Sequence, residues 1–196
     1  MLAGNFRDPL VGRDLMLGAV FGAVMILCTV ISFVSLRWIG QPPELSMNPG
    51  NEEIGAHLFI RLASQISAGL FIVFFSFFML LLFVTLLRRE RLALIALWLL
   101  IMVLSALVTQ ATVPMIPFVA LYSLLFVFVL YRYGLLALAV ALFVGHLWVF
   151  FPITSDFTAW YATDFVISLV ICLALTIYGF YTSLAGQPMF SGLLDD

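Results

Sequence analysis

Residues 71–83 read FIVFFSFFMLLLF. A helix drawn through them carries apolar side chains on every face, leaving none for water. The surrounding stretch 66–87 holds no charged residue. At about 1.5 Å per residue it spans about 33 Å, slightly more than the roughly 30 Å hydrocarbon core of a bilayer. Such a segment predicts a transmembrane helix with heavy lipid exposure.

The rest of the 196-residue chain has the same character, being 65% apolar and only 9% charged. Soluble domains carry roughly 25% charged residues, and one core of this size cannot hide so large an apolar excess. The predicted fold is therefore an all-α integral membrane protein. The net charge of −2 gives no footing for nucleic acid. Every basic residue is arginine, a side chain suited to gripping lipid phosphates at the interface.

Apolar runs separated by breakers place six transmembrane helices, over 15–36, 66–87, 92–111, 113–131, 135–151 and 165–184. Residues 1–14 are expected to be a cytoplasmic juxtamembrane segment, 15–184 the six-helix domain and 185–196 a cytoplasmic tail. Pro9 and Gly12 argue against a continuous helix in the first segment, and Asp14 is placed to cap the first span. That span is too long for a signal-peptide core and is followed by no small-residue cleavage site. Gly18 and Gly22 have the GxxxG spacing that lets a neighbouring helix approach closely.

Residues 39–51 read as a loop, after which Asn51, Glu52 and Glu53 suit a helix start. Glu53, His57, Arg61 and Gln65 recur every four residues, as do Ile54, Leu58, Leu62 and Ile66. This stride lays one polar and one apolar stripe along a helix, an amphipathic extension running unbroken into the second span. Pro114 and Pro117 close a tight hairpin between the third and fourth spans, and Gly134 suits a helix C-terminus.

Arginine counting orients the bundle. With the N-terminus inside, the cytoplasmic side holds six arginines (Arg7, Arg13, Arg88, Arg89, Arg91 and Arg132) and the outer side two, Arg37 and Arg61. Both termini are thus expected to be cytoplasmic. Arg88, Arg89, Arg91 and Arg132 are read as topology determinants in contact with lipid.

Chemistry is sparse. The chain has no HExxH, no GxSxG elbow and no Walker A loop, and its only histidines are His57 and His146. No catalytic, cofactor-binding or metal-ligating residue is expected. His146 lies inside the fifth span, where an ionisable group is a candidate polar contact for a ligand, with Asp156, Asp164 or Tyr161 of the next loop as partner. The blander reading is a neutral imidazole bonded to a neighbouring helix. Glu53, His57 and Arg61 are a second candidate ligand contact, or simply a wet helix face stabilised by i,i+4 pairs. Gln110, beside the two prolines, either lines a cavity or forms a structural turn. Cys28 and Cys172 sit mid-span and read as small packing residues.

The stretch RDPLVGRDLMLGAVFG at 7–22 resembles the entry into the membrane region at the C-terminus of some bacterial serine/threonine protein kinases. FPITSDFTAWYA from 151 and YGFYTSLAGQPMF from 178 are similar to how that region closes. The likeness implies the membrane module alone, either a stand-alone relative or a piece of a longer kinase. No Gly-rich loop, HRD or DFG accompanies it, so no kinase activity is expected. It implies a non-enzymatic anchoring or sensory module in the bacterial inner membrane, in contact with lipids and with a cytoplasmic kinase or other signalling partner. A small transporter or permease-like subunit is the alternative.

Overall fold

The computed structural model describes residues 9–37, 40, 56–150 and 162–183, excepting the side chains at 56–59, 61, 149–150 and 162–164. The described residues form six α-helices: α1 Pro9–Arg37, α2 Ala56–Leu87, α3 Glu90–Val108, α4 Ile116–Tyr133, α5 Leu135–Phe150 and α6 Ala162–Ser183. A 3-10 turn, Val113–Met115, leads into α4. All but α5 are long and apolar enough to cross a membrane. The fold is that of a multi-pass helical membrane protein.

One sequence expectation is corrected at the start. Within the described residues α1 runs from Pro9 straight through Gly12, so Asp14 lies inside α1 and caps nothing. Proline is well placed in a helix's first turn, where its missing N–H has no partner to lose. Gly12 is held by packing: a Cβ there would collide with the Thr182 hydroxyl and the Ser183 amide of α6. Asp14 instead accepts two bonds from the neighbouring Arg13 guanidinium, at 3.2 and 3.1 Å.

α1 is the hub, packing against α5, α6 and α4. The GxxxG pair carries its tightest contact. A Cβ on Gly18 would lie 2.7 Å from the Ala137 carbonyl oxygen, and one on Gly22 2.6 Å from that of Ala141. Ala137, Ala141 and Gly145 give α5 a matching row of small residues, and the rising register shows that α1 and α5 run parallel. Gly179 of α6 closes on Gly12 and Met16, so the start of α1 and the end of α6 share one end of the bundle.

α2 is one continuous helix, about 48 Å long by its 32 residues, as the stripe pattern predicted. It packs on α3 and α5 through Val73 and Ser76, and turns Phe71, Phe74, Phe78 and Leu81 outward. It ends where Arg88 adopts a left-handed φ of 52° and donates its N–H to the Val84 carbonyl. α3 closes similarly at Gln110, φ 48°, with the Ala111 N–H on the Ala106 carbonyl. Gln110 is therefore part of a turn. α3 and α4 are tied by the Trp98 indole N–H donating to the Ala120 carbonyl at 3.1 Å.

α5 is described over 16 residues and is enclosed by its neighbours: Ala137, Leu138, Ala141, Leu142, Val144 and Leu147 are all buried. Cys28 and Cys172 are free and buried, as expected of packing residues.

Candidate functional site: an intramembrane groove

Five helices surround a groove of about 590 Å³. Met25 to Ser32 of α1, Phe71 to Ser76 of α2, Ile101 to Thr109 of α3, Phe118 to Phe126 of α4 and Ala141 to His146 of α5 supply its walls. It thus occupies the half of the bundle where α1, α3 and α5 end. Periodicity explains the wall of α4. Phe118, Tyr122 and Phe126 follow at intervals of four and share one helix face.

The lining is overwhelmingly apolar, and among the described residues no Asp, Glu, Lys or Arg contributes to it. The groove, so lined, is chemically matched to hydrocarbon. Phe71, on its rim, is 70% exposed, so the opening reaches the apolar lateral surface.

Its polar atoms fall into two sets. Thr29, Ser32, Ser76 and Thr109 donate their hydroxyl hydrogens to carbonyls of their own helices, at 3.1, 2.7, 2.7 and 2.8 Å. They can offer the groove only lone pairs. The Tyr122 and Ser105 hydroxyls are different, for neither makes a hydrogen bond among the described residues. Each has a proton to give. His146 completes the wall from α5, part-buried beside Gly145.

Of the residues expected from sequence, His146 alone is placed at the groove. Glu53 and Asp156 lie outside the described residues. His57 and Arg61 fall in α2 and Asp164 in α6, but their side chains lie outside the described residues too. Arg88, Arg89, Arg91 and Arg132 are exposed around the α2–α3 turn and the end of α4. There Tyr131 donates to Glu90 at 2.6 Å, joining the end of α4 to the start of α3. This arginine-rich end lies opposite the groove. Sequence reasoning missed Tyr122, Ser105 and the self-bonded hydroxyls. The only signal for them was helical spacing, as in Thr29/Ser32 and Ser105/Thr109.

Geometry defines this chain as a multi-pass helical membrane protein with a lateral apolar groove. Compared with family models, with curated proteins and with solved structures, it matches none.

Proposed function

We propose that the chain is a membrane-anchoring and sensory module for a cytoplasmic signalling partner, a kinase or a protein of similar role. It sits in a bacterial inner membrane with six crossings and both termini in the cytoplasm. The carrying observation is the central position of α1. The helix nearest the N-terminal segment packs on α4, α5 and α6 and also walls the groove. A change in what the groove holds is thereby felt by the helix that leads to the cytoplasm. The six-to-two arginine asymmetry supports the orientation, and the parallel course of α1 and α5 supports α5 as a crossing. No catalytic step is assigned to the chain.

Deleting the gene in its host should change serine and threonine phosphorylation of cytoplasmic proteins. The wild-type chain should restore it, and Gly22→Leu, which pries α1 from α5, should not. Identical phosphorylation with and without the chain would overturn this reading.

A permease-like subunit is the second reading, favoured by the groove beside His146. Against it, Gln110 lies outside the lining, and among the described residues the walls hold no Asp, Glu, Lys or Arg, a poor path for a hydrophilic solute. Solute uptake that depends on His146 in proteoliposomes would establish it.

A further inference from the structure

We infer that the groove binds one uncharged lipid with a hydroxyl or carbonyl head, taken laterally from the bilayer. The inference deepens the sensory reading above and rests on it for its biological meaning, though not for its chemistry.

Three observations define the ligand. The first is charge. Among the described residues of the lining no Asp, Glu, Lys or Arg is found, so a carboxylate or phosphate head would meet no lysine or arginine there, and burying a charge without a partner is strongly disfavoured. A neutral head fits this lining better than a charged one. The second is Tyr122 and Ser105, which line an apolar space and whose hydroxyls make no hydrogen bond among the described residues. A polar group in that setting gains by meeting an acceptor, and a ligand oxygen supplies one. The four self-bonded hydroxyls add acceptors, so an alcohol can donate as well as accept. The third is access. The exposed Phe71 makes the groove continuous with the lipid-facing surface of α2, so the chain of the ligand enters from the bilayer. A volume of about 590 Å³ lies within the usual range of small-molecule sites.

The test uses the full chain in phosphatidylcholine nanodiscs at about pH 9, where a bilayer-held carboxyl is ionised, with two photoreactive probes of equal chain length. One is a diazirine-bearing hexadecanol, the other the corresponding hexadecanoic acid. The alcohol should label α3 and α4 around Ser105 and Tyr122, saturably and in competition with unlabelled hexadecanol. The ionised acid should label these peptides at least tenfold less. Tyr122→Phe keeps the ring and removes the donor, and should lower labelling by the alcohol about three- to tenfold. Ser105→Phe fills the space and should abolish it, with gel filtration confirming that both variants remain folded. Equal labelling by acid and alcohol, labelling that never saturates, or indifference to Tyr122→Phe would each overturn the inference. Saturable labelling in a host whose phosphorylation ignores the chain would support the lipid site while removing the sensory role alone.

Discussion

α1 and α2 are both long, unbroken and apolar, yet they occupy opposite places in the bundle. Of α1's most apolar stretch 33% is buried, against 11% of α2's. In water the more hydrophobic helix goes inside. In a bilayer lipid tails are as apolar as leucine, so that rule loses its force and closeness of approach decides. α1 buries Gly12, Gly18, Ala19, Gly22, Cys28, Ser32 and Ser35, side chains that let other backbones come near. α2 carries bulky phenylalanines, and lipid accommodates those as well as protein does.

The same substitution should therefore have opposite signs on the two helices. Gly22→Ala places a methyl 2.6 Å from the Ala141 carbonyl oxygen, and should cost about 1–3 kcal/mol in thermal unfolding of the detergent-solubilised chain. If Gly22→Ala is neutral, the small-residue interface is not what seats α1. Next in size is Trp98→Phe, which keeps the ring at the α3–α4 contact and loses its hydrogen bond. It should lower stability by about 0.6–1 kcal/mol, showing whether a polar tie rivals close packing. Gly69→Ala on α2 meets nothing within 4 Å among the described residues and should raise stability by about 0.5–1 kcal/mol through helix propensity alone. Phe74→Leu, 60% exposed on the same helix, should change it by less than about 0.5 kcal/mol. A large loss there would mean that α2's outer face is covered by protein.

Much of the architecture was readable because apolar runs and breakers are local signals. Pro114, Pro117 and Gly134 fall where helices end or begin, and from residue 56 onward the stripe is continuous with α2. The start of α1 was misread because Pro9 and Gly12 are usually helix breakers. What rescues Gly12 is a contact with α6, some 170 residues away in sequence. Gly18 and Gly22 could be named as a contact, but not their partner, since any helix with a row of small residues would serve.

The site was less legible. His146 stands out as an ionisable residue in a span. Tyr122 and Ser105 do not, because hydroxyl side chains are common in such helices and usually bond their own backbone, as Ser76 and Thr29 do. A groove between five helices is a property of their arrangement, which periodicity along one helix does not encode.

Gly134 constrains the register of two helices. Its φ of 88° lets a single residue reverse the chain between α4 and α5. With so little slack, α4 and α5 cannot slide far past one another along their axes, and Arg132, two residues before the bend, stays exposed beside it. The row of small residues on α5 is thereby set at a fixed height against the glycines of α1.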